Sequence, residues 1–150
     1  MISFKTSEEQ DVVREAMHEF AERAMRPLAG EADGGSRLPD EFFAQCAALG
    51  LVAAQLPESF GGGGEARAPV TNALVLEELA WGDATLALAA LAPAAFAFAV
   101  LDQGSEEQKR AHLPAFCADA FHAASLALVE PAALFDPALP RTRAEPKGES

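Results

Sequence analysis

The sequence predicts a mainly α protein: an N-terminal bundle of about five helices followed by the first strand of a truncated β domain. Three observations carry that expectation. Apolar residues recur at steps of three and four through most of the first 119 positions, hydroxyl residues stand three places before Gln10 and Gln108, and the pattern shifts near residue 120 to a short apolar run closed by Glu130-Pro131. The chain of 150 residues (15.7 kDa) is half hydrophobic and 23% charged, a globular composition that excludes disorder over most of its length. It suits one domain of ordinary size, which buries roughly 70% of the surface of its unfolded chain. The expected boundaries are a helical domain over 1–119 and the incomplete beginning of a β domain over 120–150.

The first helix starts at Ser7, whose hydroxyl and Gln10 form a capping box. Val13, Ala16, Met17, Phe20, Ala24 and Leu28 then lay an apolar stripe along it until Pro27 and Gly30 close the pattern, with Arg14, Glu15, Glu22 and Arg23 on the opposite face. After the turn at Asp33-Gly34-Gly35, Pro39 suits a first helical position and Asp40 and Glu41 the positive end of the dipole. That second helix, with Phe42, Phe43, Cys46 and Leu49 inward, stops at Gly50. Leu56 to Gly64 is an irregular connection whose glycines permit backbone angles closed to other residues. No Gly-Lys-Ser/Thr follows and no strand precedes, so it is not a phosphate loop. Val70 to Trp81 reads as the third helix and Ala84 to Leu101 as the fourth, with a break near Gly82. A second capping box at Ser105 opens a fifth helix through Phe116. Phe121 to Val129 suits a buried strand of weak propensity, and a lone strand needs neighbours for its N–H and C=O groups.

Eleven Lys and Arg against 23 Asp and Glu leave a net charge of −12 and a pI near 4.5, so the average field repels phosphate backbones and nucleic acid is not an expected partner. Cys46 and Cys117 lie far apart, with no CxxC or zinc spacing, and read as buried thiols of a reducing compartment. Met1 to Lys5 lacks a basic region and apolar core of a signal peptide, which points to the cytoplasm.

Ala84 to Leu101 carries no charge over 18 residues. Its small residues, central Pro93 and flanking Asp83 and Asp102 speak for a helix buried on all sides in a soluble bundle rather than a membrane span. Its alanines admit either close helix packing or a thin apolar ligand groove. Glu15-Ala16-Met17-His18 is an E-x-x-H, but the second such motif of a di-iron bundle is absent and no metal is expected. His112 and His122 lack a nucleophile in a recognisable elbow, which speaks against a hydrolase triad.

In order, several segments resemble the N-terminal part of the acyl-CoA dehydrogenase family. They are Phe4 through Gln10, Leu49-Gly50-Leu51 leading to Pro57-Glu58-Ser59-Phe60-Gly61-Gly62, and Glu77-Glu78-Leu79-Ala80 with Asp83. Gly104-Ser105-Glu106-Glu107-Gln108-Lys109 through Leu113-Pro114 and Ala127-Leu128-Val129-Glu130-Pro131 with Asp136 complete the series.

The resemblance implies a flavoprotein oxidoreductase of fatty acid metabolism: FAD as cofactor, an acyl-CoA thioester as substrate, and electron-transferring flavoprotein as partner. It also implies assembly as a homotetramer or with a related chain. The family's acyl-chain pocket corresponds here to Leu88, Leu91, Ala92 and Ala95, and its flavin-contacting loop to Leu126, Leu128, Val129, Leu134 and Phe135. Val129 stands where the family has a hydroxyl residue, and Leu134 and Phe135 where it has glycine and serine. The catalytic base has no counterpart in these residues, so the chain alone is expected to be inactive. The alternative is a non-catalytic structural or partner subunit with a degenerate FAD loop.

Overall fold

A computed structural model describes residues 5–35, 37–131 and 135–145. Six helices follow one another: α1 (Glu8–Phe20), α2 (Ala29–Asp33), α3 (Asp40–Ala48), α4 (Pro69–Gly82), α5 (Ala84–Gln103) and α6 (Glu106–His112). The additional one, α2, is a single short turn with no room for an apolar period. Helix α4 lies between α1 and α5 and packs on both.

Both capping boxes form as the sequence requires. Ser7 Oγ accepts from the Gln10 amide at 3.2 Å and the Gln10 side chain accepts from the Ser7 amide at 3.0 Å; Ser105 and Gln108 repeat the arrangement at 3.2 and 2.8 Å. Pro39 differs from expectation by one position: it caps α3 in an extended conformation, φ −61° and ψ 141°, and Asp40 opens the helix. The break at Gly82 is sharpened by Asp83, whose carboxylate accepts from the Leu86 amide at 2.8 Å and caps α5.

Helix α1 does not run on evenly toward Pro27. Ala21–Met25 forms one wide π turn, closed by the Arg26 amide donating to the Ala21 carbonyl at 3.0 Å. The wide turn brings Ala21 and Met25 to complete burial in the main core, beside Phe42, Val75, Leu79, Leu86 and Ala87. Gly82 meets it from α4, so close that a Cβ there would stand 2.9 Å from the Ala21 Cβ. A smaller cluster of Leu56, Ala97, Leu113 and Phe116 fills the other end, where the chain leaves α6 through a 3₁₀ turn at Leu113–Cys117.

The Gly-rich connection folds back on the residues before it. The amides of Gly62, Gly63, Gly64 and Glu65 donate to the carbonyls of Pro57, Ala53, Leu56 and Ala54 at 2.9–3.2 Å. Gly61 and Gly64 have φ of 91° and 70°, conformations that side chains disfavour. Arg67 then latches the connection to α5: two nitrogens donate to the Asp102 carboxylate, both at 2.7 Å, and the guanidinium lies 4.5 Å from the centre of the Phe98 ring.

Two expectations are corrected. Helix α5 is buried on one side only: Leu86, Ala87, Ala90, Pro93 and Ala97 are buried, but just 28% of its most apolar 18-residue window is. On the opposite side Leu88 and Ala95 are exposed, while Leu91, Phe96, Phe98, Val100 and Leu101 pack at the edges of the two core clusters. By length and composition α5 could cross a membrane, a test that core helices of soluble proteins also pass. The strand expected over Phe121–Val129 is not formed either. The segment is non-helical and makes no backbone hydrogen bond among the described residues, because a strand exists only through a partner's ladder. Its start is anchored by Phe121 on Phe43 and His122 on Phe116, ring centres 4.9 Å apart in both pairs.

Candidate functional site

A helix advances about 100° per residue. On α5 this places Leu86, Ala90, Pro93 and Ala97 in one narrow arc, the buried one. Leu88, Ala92 and Ala95 fall in the arc diametrically opposite, with Leu88 65% exposed, Ala95 exposed and Ala92 half-buried. Three of the four expected pocket residues therefore share an open apolar face. Leu91 sits at its edge, packs against the main core, and with Ala94 and Phe98 lines a groove of about 380 Å³ bounded by Leu51, Val75 and Leu76. On the groove's polar side the carboxamides of Gln55 and Asn72 donate to each other at 2.8 and 3.1 Å.

The expected flavin loop is placed in part. Leu126, Leu128 and Val129 are 51%, 57% and 78% exposed, Phe135 is half-buried, and Leu134 lies outside the described residues. Glu130, at the end of this run, accepts from the amides of Arg141 and Thr142 and from the Thr142 hydroxyl. Those three bonds hold its carboxyl below the usual carboxylate range, the Thr142 hydroxyl contributing most.

The two thiols line one cavity of about 350 Å³ with Pro93, Phe116 and Phe121. Burial pushes Cys46 up to about 11 and also raises Cys117, which is half-buried rather than buried, so both stay protonated and inert at neutral pH.

Among the described residues no cluster of His, Cys, Asp and Glu could hold a metal ion. His18 turns instead to α4, where its Nδ1 lies 2.9 Å from Glu78 Oε2, while Arg14 donates to Glu78 Oε1 from Nη2 at 2.9 Å and from Nε at 3.1 Å. On its other side the His18 ring stacks on Trp81 at 4.1 Å, and Arg26 covers Trp81 at 4.7 Å. Sequence reading missed Glu78 as the hub of this network because its partners lie 60 and 64 positions away.

The hydrogen bond from His18, followed by Arg14, holds the Glu78 carboxyl below its ordinary value. A depressed carboxyl contributes stability that is present above its unfolded value, about 4.3, and lost as pH falls through the folded one. Urea unfolding of Glu78→Gln is therefore expected to show its largest deficit against the parent near neutral pH, closing below about pH 4. A deficit independent of pH would assign the seam to packing alone.

A six-helix module with an open apolar face on one helix and a non-helical segment after its last helix defines a class of α domain, and comparison identifies it. The family model for the acyl-CoA dehydrogenase N-terminal domain matches residues 7–120. The chain belongs to the acyl-CoA dehydrogenase family.

It is 36% identical over 146 residues to the probable acyl-CoA dehydrogenase FadE25 of Mycobacterium tuberculosis, covering 97% of this chain and 37% of that protein. The fold matches butyryl-CoA dehydrogenase from Megasphaera elsdenii with a TM-score of 0.72 and 26% identity, covering 88% of this chain and 35% of that one. It also matches a chain in the structure of the electron transferring flavoprotein of Acidaminococcus fermentans with a TM-score of 0.72 and 25% identity, over 88% of this chain and 34% of that one. The chain thus spans a little over a third of the length of these relatives.

Proposed function

We propose that this chain is the N-terminal part of a flavin-dependent acyl-CoA dehydrogenase, in which residues 120–150 open a β domain. The observation that carries the reading is the geometry of α5: Leu88, Ala92 and Ala95 form an uncharged stripe on the side turned away from the bundle, with Leu91 at its edge. Such a stripe receives a fatty acyl chain lengthwise. Alanines keep the surface low, and burial against the chain contributes roughly 25 cal/mol per Å² of apolar area removed from water.

The residues present fit FAD through their backbone. The amides of Leu126, Leu128 and Val129 have no partner among the described residues and sit in an exposed, non-helical segment, which suits them to donate to flavin or phosphate oxygens. The aliphatic Val129 supplies no hydroxyl, so the side-chain part of the contact is missing. When bound, FAD accepts the hydride lost from the acyl β-carbon as the α,β-bond is oxidised. This chain's share is to hold the acyl tail on α5, exclude water from it, and present the open amides; the α-proton is taken by a carboxylate outside these residues. Electron-transferring flavoprotein as the oxidant of the reduced flavin, assembly with like or related chains, and a cytoplasmic location belong to the same reading.

A protein carrying this chain and its natural continuation should purify yellow and bleach on addition of an acyl-CoA, while the 150-residue chain alone gives no bleaching. A colourless protein that cannot be reconstituted with FAD overturns the reading. Val129 favours a second one, a non-catalytic partner subunit, which predicts co-purification with an active homologous chain. An active homo-oligomer with one flavin per subunit dismisses it.

A further inference from the structure

Among the described residues after α6, internal hydrogen bonds are few and gather at Glu130 and at Asp136. A single carboxylate oxygen, Glu130 Oε1, accepts from the Arg141 amide at 2.9 Å, the Thr142 amide at 2.6 Å and the Thr142 hydroxyl at 2.5 Å, and Oε2 accepts again from the Arg141 amide at 3.0 Å. The donors lie 11 and 12 positions along the chain. Between them is a turn in which Asp136 accepts from the amides of Ala138 and Leu139, at 2.9 and 3.0 Å. Bonds to an ionised acceptor are roughly twice as strong as neutral ones, and three converging donors fix the carboxylate's position as well as its distance.

We propose that Glu130 is a positioning residue: its carboxylate ties residues 141–142 back to the end of the Leu126–Val129 run, so that the open amides of that run are offered on a fixed backbone. The inference rests on the reading that gives those amides to FAD. It also explains how the site tolerates Val129. With the backbone held from Glu130, the amide contacts do not need a side chain at 129 to orient them.

All three donors reach Oε1, so Glu130→Gln retains an acceptor for each, whereas Glu130→Ala removes them all. The pair of variants separates positioning from mere bulk. In the 150-residue chain, amide exchange followed by NMR should show Arg141 and Thr142 protected about tenfold relative to Arg143 and Ala144. Glu130→Ala abolishes that difference, Glu130→Gln keeps most of it, and the helical circular dichroism is the same in all three. In the protein with its continuation, Glu130→Ala should hold FAD about tenfold more weakly and shift its visible absorbance bands, with Glu130→Gln restoring both.

Arg141 and Thr142 amides exchanging as fast as their neighbours in the parent overturn the inference. Protection lost in Glu130→Ala with FAD held as tightly as before also overturns it, and leaves the functional reading standing. A parent protein that never takes up FAD overturns that reading and this inference with it.

Discussion

Replacing Leu88 by glutamate is expected to lower kcat/KM for an acyl-CoA by about a hundredfold or more, with the stability of the fold changed by no more than about 0.5 kcal/mol. Leu88 is 65% exposed and belongs to neither core cluster, and glutamate is as good a helix former as leucine, so the bundle has little reason to register the change. The substrate has every reason to. Covering a leucine with an acyl chain contributes roughly 1.5–3 kcal/mol, and the variant exchanges that gain for the cost of drying a carboxylate.

The measurement pairs steady-state kinetics of the protein carrying this chain and its continuation with urea unfolding. Leu86→Ala on the opposite arc is the control, expected to cost about 2–5 kcal/mol of stability because Leu86 is wholly buried. Unchanged kcat/KM in Leu88→Glu would sink the assignment of α5's open face to the substrate.

Among the described glycines, Gly62→Ala should be the most destabilising change to alanine, by about 3 kcal/mol or more. A Cβ at position 62 would run into the Leu56 carbonyl oxygen and stand 2.6 Å from its carbon and 2.7 Å from its Cβ. The collision has no flexible side-chain tip to absorb it, since two of the three atoms are backbone and Leu56 is completely buried in the second core cluster. Relief requires the connection to lift off, which also breaks the bonds from Gly63 and Gly64 to Ala53 and Leu56. Thermal unfolding should fall by about 10 °C. Gly30→Ala, where nothing lies within 4 Å of the new methyl, should leave the melting temperature within a degree or two or raise it. Equal melting of parent and Gly62→Ala would refute the closeness of that contact.

What could be read from the sequence follows the range of the interactions. Ser7 with Gln10, and Ser105 with Gln108, settle helix starts within four residues and were legible at sight. The π turn at Ala21 was not, because it answers to Gly82 on another helix. Helix α5 was legible as a helix, yet its lack of polar residues concealed which side faces inward; only the packing of α4 and α6 against it decides that. The site divides the same way. Leu88, Leu91, Ala92 and Ala95 are grouped through the family resemblance together with their helical spacing, while the partners of Glu78 and Glu130 lie at separations where no local pattern exists.

Trp81 is the sole indole of the chain, and it contacts both the His18 imidazole and the Arg26 guanidinium, near the carboxylate hub of Glu78. Nature has thereby installed an optical probe at the junction of the first and fourth helices. Intrinsic indole emission from these 150 residues therefore reports on the parting of that junction.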